Sequence, residues 1–312
     1  MNAHIKFFIK KLPFVKFFIR LFIHPFIKTK KLSLEINTFF SSPFYLKNFS
    51  AIPKISNLII SLTSFPARMK FIEFTIFSLI NQTVRPEKII LWLSEKEFLN
   101  KEKDIPSNLE KYFPLGLEIK FIKDNFKSYN KLIFSLKEYP LYNIITVDDD
   151  VFYKKTFIEL LASTHKLYPN DIISNKVRRI SFTNKILNPY LNWRSLHSSG
   201  ISFLNFLLGY GGVLYPSNCL YKDVTNESLF LMLSPHADDI WFYVMALLKN
   251  TKIRKPRYIF RKTFPFDYQL TEEWQDIPEL MKINWSNNKN DSQFKAVLDY
   301  YSLYDSFYNK YA

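Results

Sequence analysis

The chain has 312 residues, 47% of them hydrophobic, which is enough for one large α/β domain with attachments and a substantial core. Its single cysteine, Cys219, excludes an intramolecular disulfide and a cysteine-based zinc site, and reads as a small buried thiol. The net charge of +15 is uneven: residues 1–50 carry nine Lys or Arg against Glu35 alone.

At 3.6 residues per turn, Lys6, Lys10, Lys16, Arg20 and His24 share one side of a helix. Phe7, Phe8, Phe14, Val15, Phe18, Leu21 and Phe22 cover much of the rest, and Pro13 kinks the helix or starts a second one. This basic amphipathic pattern suits an anionic membrane surface, reached through residues 1–30. The competing reading is a helix packed on the protein's own core with its cations in water. A cation every few positions excludes a spanning helix, and no small-residue cleavage site marks a signal peptide. The uncharged stretch between Arg194 and Lys222 is broken by serines, glycines and Pro216, and reads as buried protein around a loop.

After the arm, Asn57–Leu62 predicts a first strand, followed by a loop at Thr63, Ser64, Phe65 and Pro66. Helical spacing runs from Phe71 to Gln82. Lys88–Leu93 and Leu117–Ile122 read as further strands, and Tyr129–Glu138 as a helix. Alternation of this kind implies a largely parallel sheet, with ligands bound beyond the carboxyl ends of its strands. Thr63, Ser64, Arg68, Asp124 and Asp148–Asp150 then share one edge. Arg68 and Lys131 are candidate phosphate partners, and Asp124 a candidate partner for a base or ribose. Each also reads as an ordinary surface charge.

The apolar run Tyr142–Val147 delivers Asp148, Asp149 and Asp150 in succession. Three carboxylates at the end of a buried strand repel one another and resist desolvation. A hard divalent ion among them, shared with substrate phosphates, removes the conflict. The plainer reading is a solvated turn capping a helix from Thr156 to Tyr168.

Beyond the acids the pattern becomes α+β. Arg179–Thr183 predicts a strand. The residues from Gly209 to Pro216 predict a glycine loop leading into a short strand, and Gly211 and Gly212 offer backbone to a sugar. His236-Ala237-Asp238-Asp239 opens a helix running to Leu248. One aspartate of this pair caps the helix while the other faces a cleft as general base. Tyr258–Phe260 reads as a short strand, and a last helix starts near Asp291. The domain reading is a basic arm (residues 1–50), a catalytic domain (51–262) and a C-terminal extension packed on it (263–312).

Six stretches carry a resemblance: Ile60 to Arg68, Ser78 to Thr83, Lys88 to Leu93, Asp148-Asp149-Asp150, Gly211 to Pro216, and Asp238 to Phe242. In this order they resemble the nucleotide-sugar glycosyltransferases of the GT-A fold, close to family 2 enzymes of bacterial surface-polysaccharide (lipopolysaccharide or capsule) clusters. The resemblance covers residues 56 to 250. It implies an α/β GT-A (Rossmann-like) sheet flanked by helices, with a helical C-terminal extension. It implies that Asp148–Asp150 act as the Asp-X-Asp motif, with Asp148 facing the ribose and Asp150 holding Mn²⁺ or Mg²⁺.

Asp239 matches the motif acid that serves as base in inverting members. Here Asp238 replaces the usual glutamate before it, so the choice between Asp238 and Asp239 stays open. The basic motif of processive synthases is missing, which implies transfer of one sugar. The implied partners are a UDP- or GDP-sugar donor and a glycan or lipid-linked acceptor, and the implied location is the inner face of the cell membrane. Two rivals remain: a metal-dependent nucleotidyl or phosphoryl transferase, and a nucleic-acid-binding protein. The second is disfavoured, because the acids repel phosphate and the basic charge lies on an apolar arm.

Overall fold

The computed structural model describes residues 33–37, 39–40, 45–257, 268–269 and 289–312. The basic stretch 1–30 and the strand expected at Tyr258–Phe260 lie outside the described residues.

An eight-stranded mixed sheet organises the molecule. Its strands are β1 (Leu58–Thr63), β2 (Lys88–Ser94), β3 (Leu117–Ile122), β4 (Asn143–Thr146), β5 (Ile172–Ser174), β6 (Gly200–Ser202), β7 (Val213–Tyr215) and β8 (Ile253–Lys255). Across the sheet the order is β6-β8-β5-β7-β4-β1-β2-β3. The pairs β1–β2, β2–β3, β1–β4 and β8–β5 are parallel. Strand β7 runs antiparallel between β4 and β5, and β6 antiparallel to β8. The protein is therefore an α/β molecule with a mostly parallel central sheet flanked by helices.

The chain works outward from β1 to β3 and returns beside β1 as β4. Loops leaving β1 and β4 thus diverge around the point where strand order reverses, which is where open α/β sheets bind ligands. The helices that matter here are α1 (Ile72–Ile80), α2 (Asn130–Glu138), α3 (Phe157–Leu167), α4 (Glu227–Leu233), α5 (Asp238–Leu248) and α6 (Lys289–Tyr300).

Alternation along the strands builds two cores. Ile59, Ile90, Trp92, Ile144, Val213 and Tyr215 face one way, toward α2, α5 and α6. Leu58, Ile60, Leu62, Leu91, Ile145 and Leu214 face the other, toward α1 and α3. Helix α6 is part of the first core: Phe294 makes edge contacts with Trp193 and Phe206 and packs on Tyr243. Ile36 and Phe49 are buried in the second, while Phe39 and Phe40 pack on Phe77 and Tyr112.

One expectation fails. The strand predicted over Arg179–Thr183 is two strands in different sheets. Val177–Arg179 pairs with Arg194–Ser195 and Asn205–Leu207. Phe182–Thr183 instead forms a hairpin with Ile186–Leu187. Asn184 and Lys185 between them both have positive φ, as a tight primed turn requires.

Candidate functional site

Helix α1 carries buried polar residues on one face: Thr75, Ser78 and, just past its end, Gln82. All three hold the segment that follows β4. Thr75 donates to the Asp149 carbonyl at 2.8 Å, and the Tyr153 N–H donates to Ser78 Oγ at 3.0 Å. Gln82 donates to the Lys154 carbonyl at 2.7 Å and accepts from the Ile158 N–H at 3.1 Å. The acidic triplet therefore sits on a backbone fixed from beneath. Neither acidic group caps a helix: α3 has Thr156 at its N-cap position and α5 has Ala237, while Asp238 and Asp239 occupy the first turn of α5.

The three aspartates have separate partners. Asp149 accepts from Ser64 Oγ and from Arg68, both at 2.5 Å. Arg68 also reaches Asp150 Oδ2 at 3.2 Å. Asp148 is paired with Lys131 Nζ at 2.8 Å, and its own N–H donates to the Tyr153 hydroxyl. That hydroxyl in turn donates to the Tyr210 carbonyl in the glycine loop.

Lys131 is 5% exposed and is also 3.2 Å from Asp238 Oδ2, so one ammonium joins the two acidic groups. Beneath it, Ser61 Oγ donates to the Lys131 carbonyl, and the Trp92 indole donates to Ser61 and Ser135. Asp239 accepts from the Gly209 N–H through both oxygens, at 3.1 and 3.0 Å.

The electrostatics follow from this packing. Burial alone lowers the Lys131 ammonium, but Asp148, Asp238 and Asp239 outweigh it and hold the group well above the ordinary lysine range. Burial, reinforced by Asp149, pushes Asp150 up to about 7 against the pull of Arg68. Burial and then Asp238 push Asp239 up to about 8, opposed by Lys131 and the Gly209 N–H. Carboxyls displaced this far beside specific charge partners are the groups from which catalytic acids and bases are drawn.

Other expected site residues lie apart from this cluster. Thr63 spends its hydroxyl on the Trp92 carbonyl at 2.9 Å. Asp124 is exposed and paired with Lys96 at 3.5 Å. The glycines expected to meet a sugar point into protein: a Cβ on Gly211 would strike Lys176, and one on Gly212 would strike the Phe157 ring. Gly212 also has a φ of +84°, which explains a glycine there without a ligand. Gly209 is the glycine turned toward the acids. Its signal in the sequence was the crowding of three of the chain's five glycines into four residues.

The crowded aspartates do not depend on a divalent ion for charge balance, because Arg68 and Lys131 already stand among them. The donor set still fits a hard ion. Asp150 Oδ1 is buried with no hydrogen-bond partner among the described residues, and Asp148, two residues before it, is partly exposed. Among the described residues no group of three or more His, Cys, Asp or Glu gathers into a complete protein cage. Mg²⁺-type sites seldom need one, since one or two carboxylates, water and substrate phosphate suffice.

No family model and no curated protein matches the chain. Among solved structures it is similar to crystal structures of S. aureus TarS 1-349, at 14% identity over 64% of this chain and 57% of that one, with a TM-score of 0.44. The same protein in complex with UDP aligns at 14% identity over 64% and 57%, TM-score 0.43. With UDP-GlcNAc it aligns at 14% over 64% and 55%, TM-score 0.42. The chain spans 57% of the length of the first of these structures.

Among the described residues, no helix is long and apolar enough to cross a membrane.

Proposed function

We propose that this chain is a glycosyltransferase that moves one sugar from a nucleoside-diphosphate donor to a hydroxyl of a glycan or lipid-linked acceptor, with inversion. The observation that carries the reading is Lys131. It ties the triplet at the end of β4 to the pair at the start of α5, so two acidic groups ninety residues apart meet at one ammonium beside the strand-order reversal. One group suits the donor diphosphate and the other the acceptor.

On this reading Asp239 removes the proton of the attacking hydroxyl. Its displacement to about 8 gives it the affinity that a base near neutral pH needs. Asp238 stays beside Lys131 and orients the first turn of α5. Lys131 and Arg68 lie where positive charge offsets the charge growing on the leaving diphosphate. Asp150 with Asp148 would hold a Mn²⁺ or Mg²⁺ ion, which when bound supplies Lewis-acid stabilisation of that leaving group. Ser64 orients Asp149, which keeps Arg68 in place. The basic arm would hold the enzyme at the inner face of a membrane that carries its acceptor.

The test is a thermal-shift screen of nucleoside diphosphates with and without Mn²⁺, followed by product analysis with UDP- and GDP-sugars. The expected result is stabilisation by UDP or GDP that grows with Mn²⁺, and turnover that releases free nucleoside diphosphate. No stabilisation by any nucleotide overturns the reading. Release of pyrophosphate transfers it to the nucleotidyl-transferase class.

A further inference from the structure

The loop before β7 reaches the acids at Gly209. Gly209 gives its N–H to both oxygens of Asp239. A Cβ at this position would lie 2.8 Å from Asp239 Oδ1 and 3.1 Å from Lys131 Nζ. The first distance is closer than real Cβ atoms approach. The positive-φ glycines are Gly116 and Gly212, so the Gly209 backbone is one that alanine adopts freely. What alanine would meet here is the acid and the ammonium themselves.

We propose that Gly209 is the positioning residue for the general base: its N–H aims the Asp239 carboxylate, and its missing side chain leaves room for that carboxylate and the Lys131 ammonium in one corner. This rests on the glycosyl-transfer reading. The corner is crowded from several elements. Lys131 comes from α2, Asp148 from the end of β4 and Asp238 from α5, while Tyr129, Tyr190 and Tyr215 lie within electrostatic reach of the acid. In such a setting a single N–H shared by both carboxylate oxygens fixes the direction in which the remaining lone pairs point. A shift of about 1 Å in a reacting group costs roughly 100-fold in rate.

Four proteins test this: wild type, Gly209→Ala, Asp239→Ala and the double variant. Release of nucleoside diphosphate from UDP- and GDP-sugars gives the rate, calorimetry with UDP and Mn²⁺ gives binding, and melting curves give stability. Gly209→Ala is expected to lower kcat about 100-fold and leave the UDP dissociation constant unchanged. In the Asp239→Ala background the same change is expected to cost nothing more, because two changes acting through one group do not add. Wild-type turnover by Gly209→Ala overturns the inference, as does a loss repeated in full without Asp239. Should Gly209→Ala fail to fold, the double variant must fold, because the 2.8 Å contact with Asp239 is gone and only the flexible end of Lys131 has to give; a double variant as unstable as the single sinks the proposal. If wild type releases no nucleoside diphosphate from any donor, the functional reading fails instead, while the stability coupling between Gly209 and Asp239 is still measured.

Discussion

Burying Asp149 and Asp150 beside a half-buried Asp148 and a second aspartate pair costs several kcal/mol per buried charge unless cations stand among them, and this chain supplies Arg68 and Lys131. Lys131 is the more exacting case, since it serves acids from two elements. Replacing it by methionine fills the space and removes the charge, leaving Asp148 and Asp238 with no cation between them. Lys131→Met is expected to lower stability by about 3–5 kcal/mol, the usual cost of breaking a buried pair, read by urea unfolding at pH 7. A loss below about 1 kcal/mol would mean that water already solvates the pair.

Asp239 gives a prediction with a sign. Its carboxyl is raised to about 8 in the fold, against about 3.9 in an unfolded chain. Between these values the folded protein holds a proton that the unfolded chain has released, so stability falls as pH rises from about 4 to about 8. Asp239→Asn cannot lose that proton. Its melting temperature should therefore gain on wild type between pH 5 and pH 8.5. On the proposed function catalysis runs the other way, because Asp239 acting as base works only when deprotonated: transfer should climb with pH toward about 8. Asp239→Asn should lower transfer roughly 10²- to 10⁴-fold and leave nucleotide binding intact. A melting difference that does not change with pH would refute the displaced carboxyl.

At the scale of elements, the buried polar face of α1 does the positioning. Gln82 holds both the Lys154 carbonyl and the Ile158 N–H. Gln82→Ala leaves these two buried groups unpaired, at about 1–3 kcal/mol for each. The segment from Asp149 to the start of α3 should loosen, so nucleotide binding should weaken along with the melting temperature. Unchanged UDP affinity in this variant would show that the acids are placed by Arg68 and Lys131 alone.

Much of this architecture was legible, and the illegible parts share a cause. β1, β2 and β3 announce themselves as apolar runs between turn residues, and their observed bounds differ from the expected ones by at most a residue. Thr75, Ser78 and Gln82 lie at helical spacing and so define one face, but a polar face reads from sequence as solvent-facing. Only the fold shows that it meets the backbone of another segment. The partners of Lys131 lie 17 and 107 positions away, a separation that no local pattern encodes. The far half of the sheet is built from strands of three residues, too short for periodicity to mark. Glycine spacing flagged the loop, but which glycine faces the acids depends on where each Cβ would point.

At the scale of the whole molecule, charge and attachment separate. The described part of the first fifty residues is tied to the second core through Ile36, Phe39, Phe40 and Phe49, with Lys111 lying over the Phe40 ring. Residues 1–30 carry seven Lys or Arg and no acid. Deleting them removes none of those contacts, so the central sheet should keep its melting temperature. Each cation near an anionic leaflet contributes about 1 kcal/mol of attraction, and that attraction is screened beyond about 8 Å at physiological salt. The full chain should therefore sediment with phosphatidylglycerol vesicles at low salt and be partly released as salt rises. Apolar insertion of the phenylalanines should retain a remainder that salt does not release. The protein lacking residues 1–30 should stay in the supernatant at every salt concentration and still bind UDP or GDP. If the shortened chain sediments as the full one does, the membrane contact belongs to the folded body, and the basic arm has some other use.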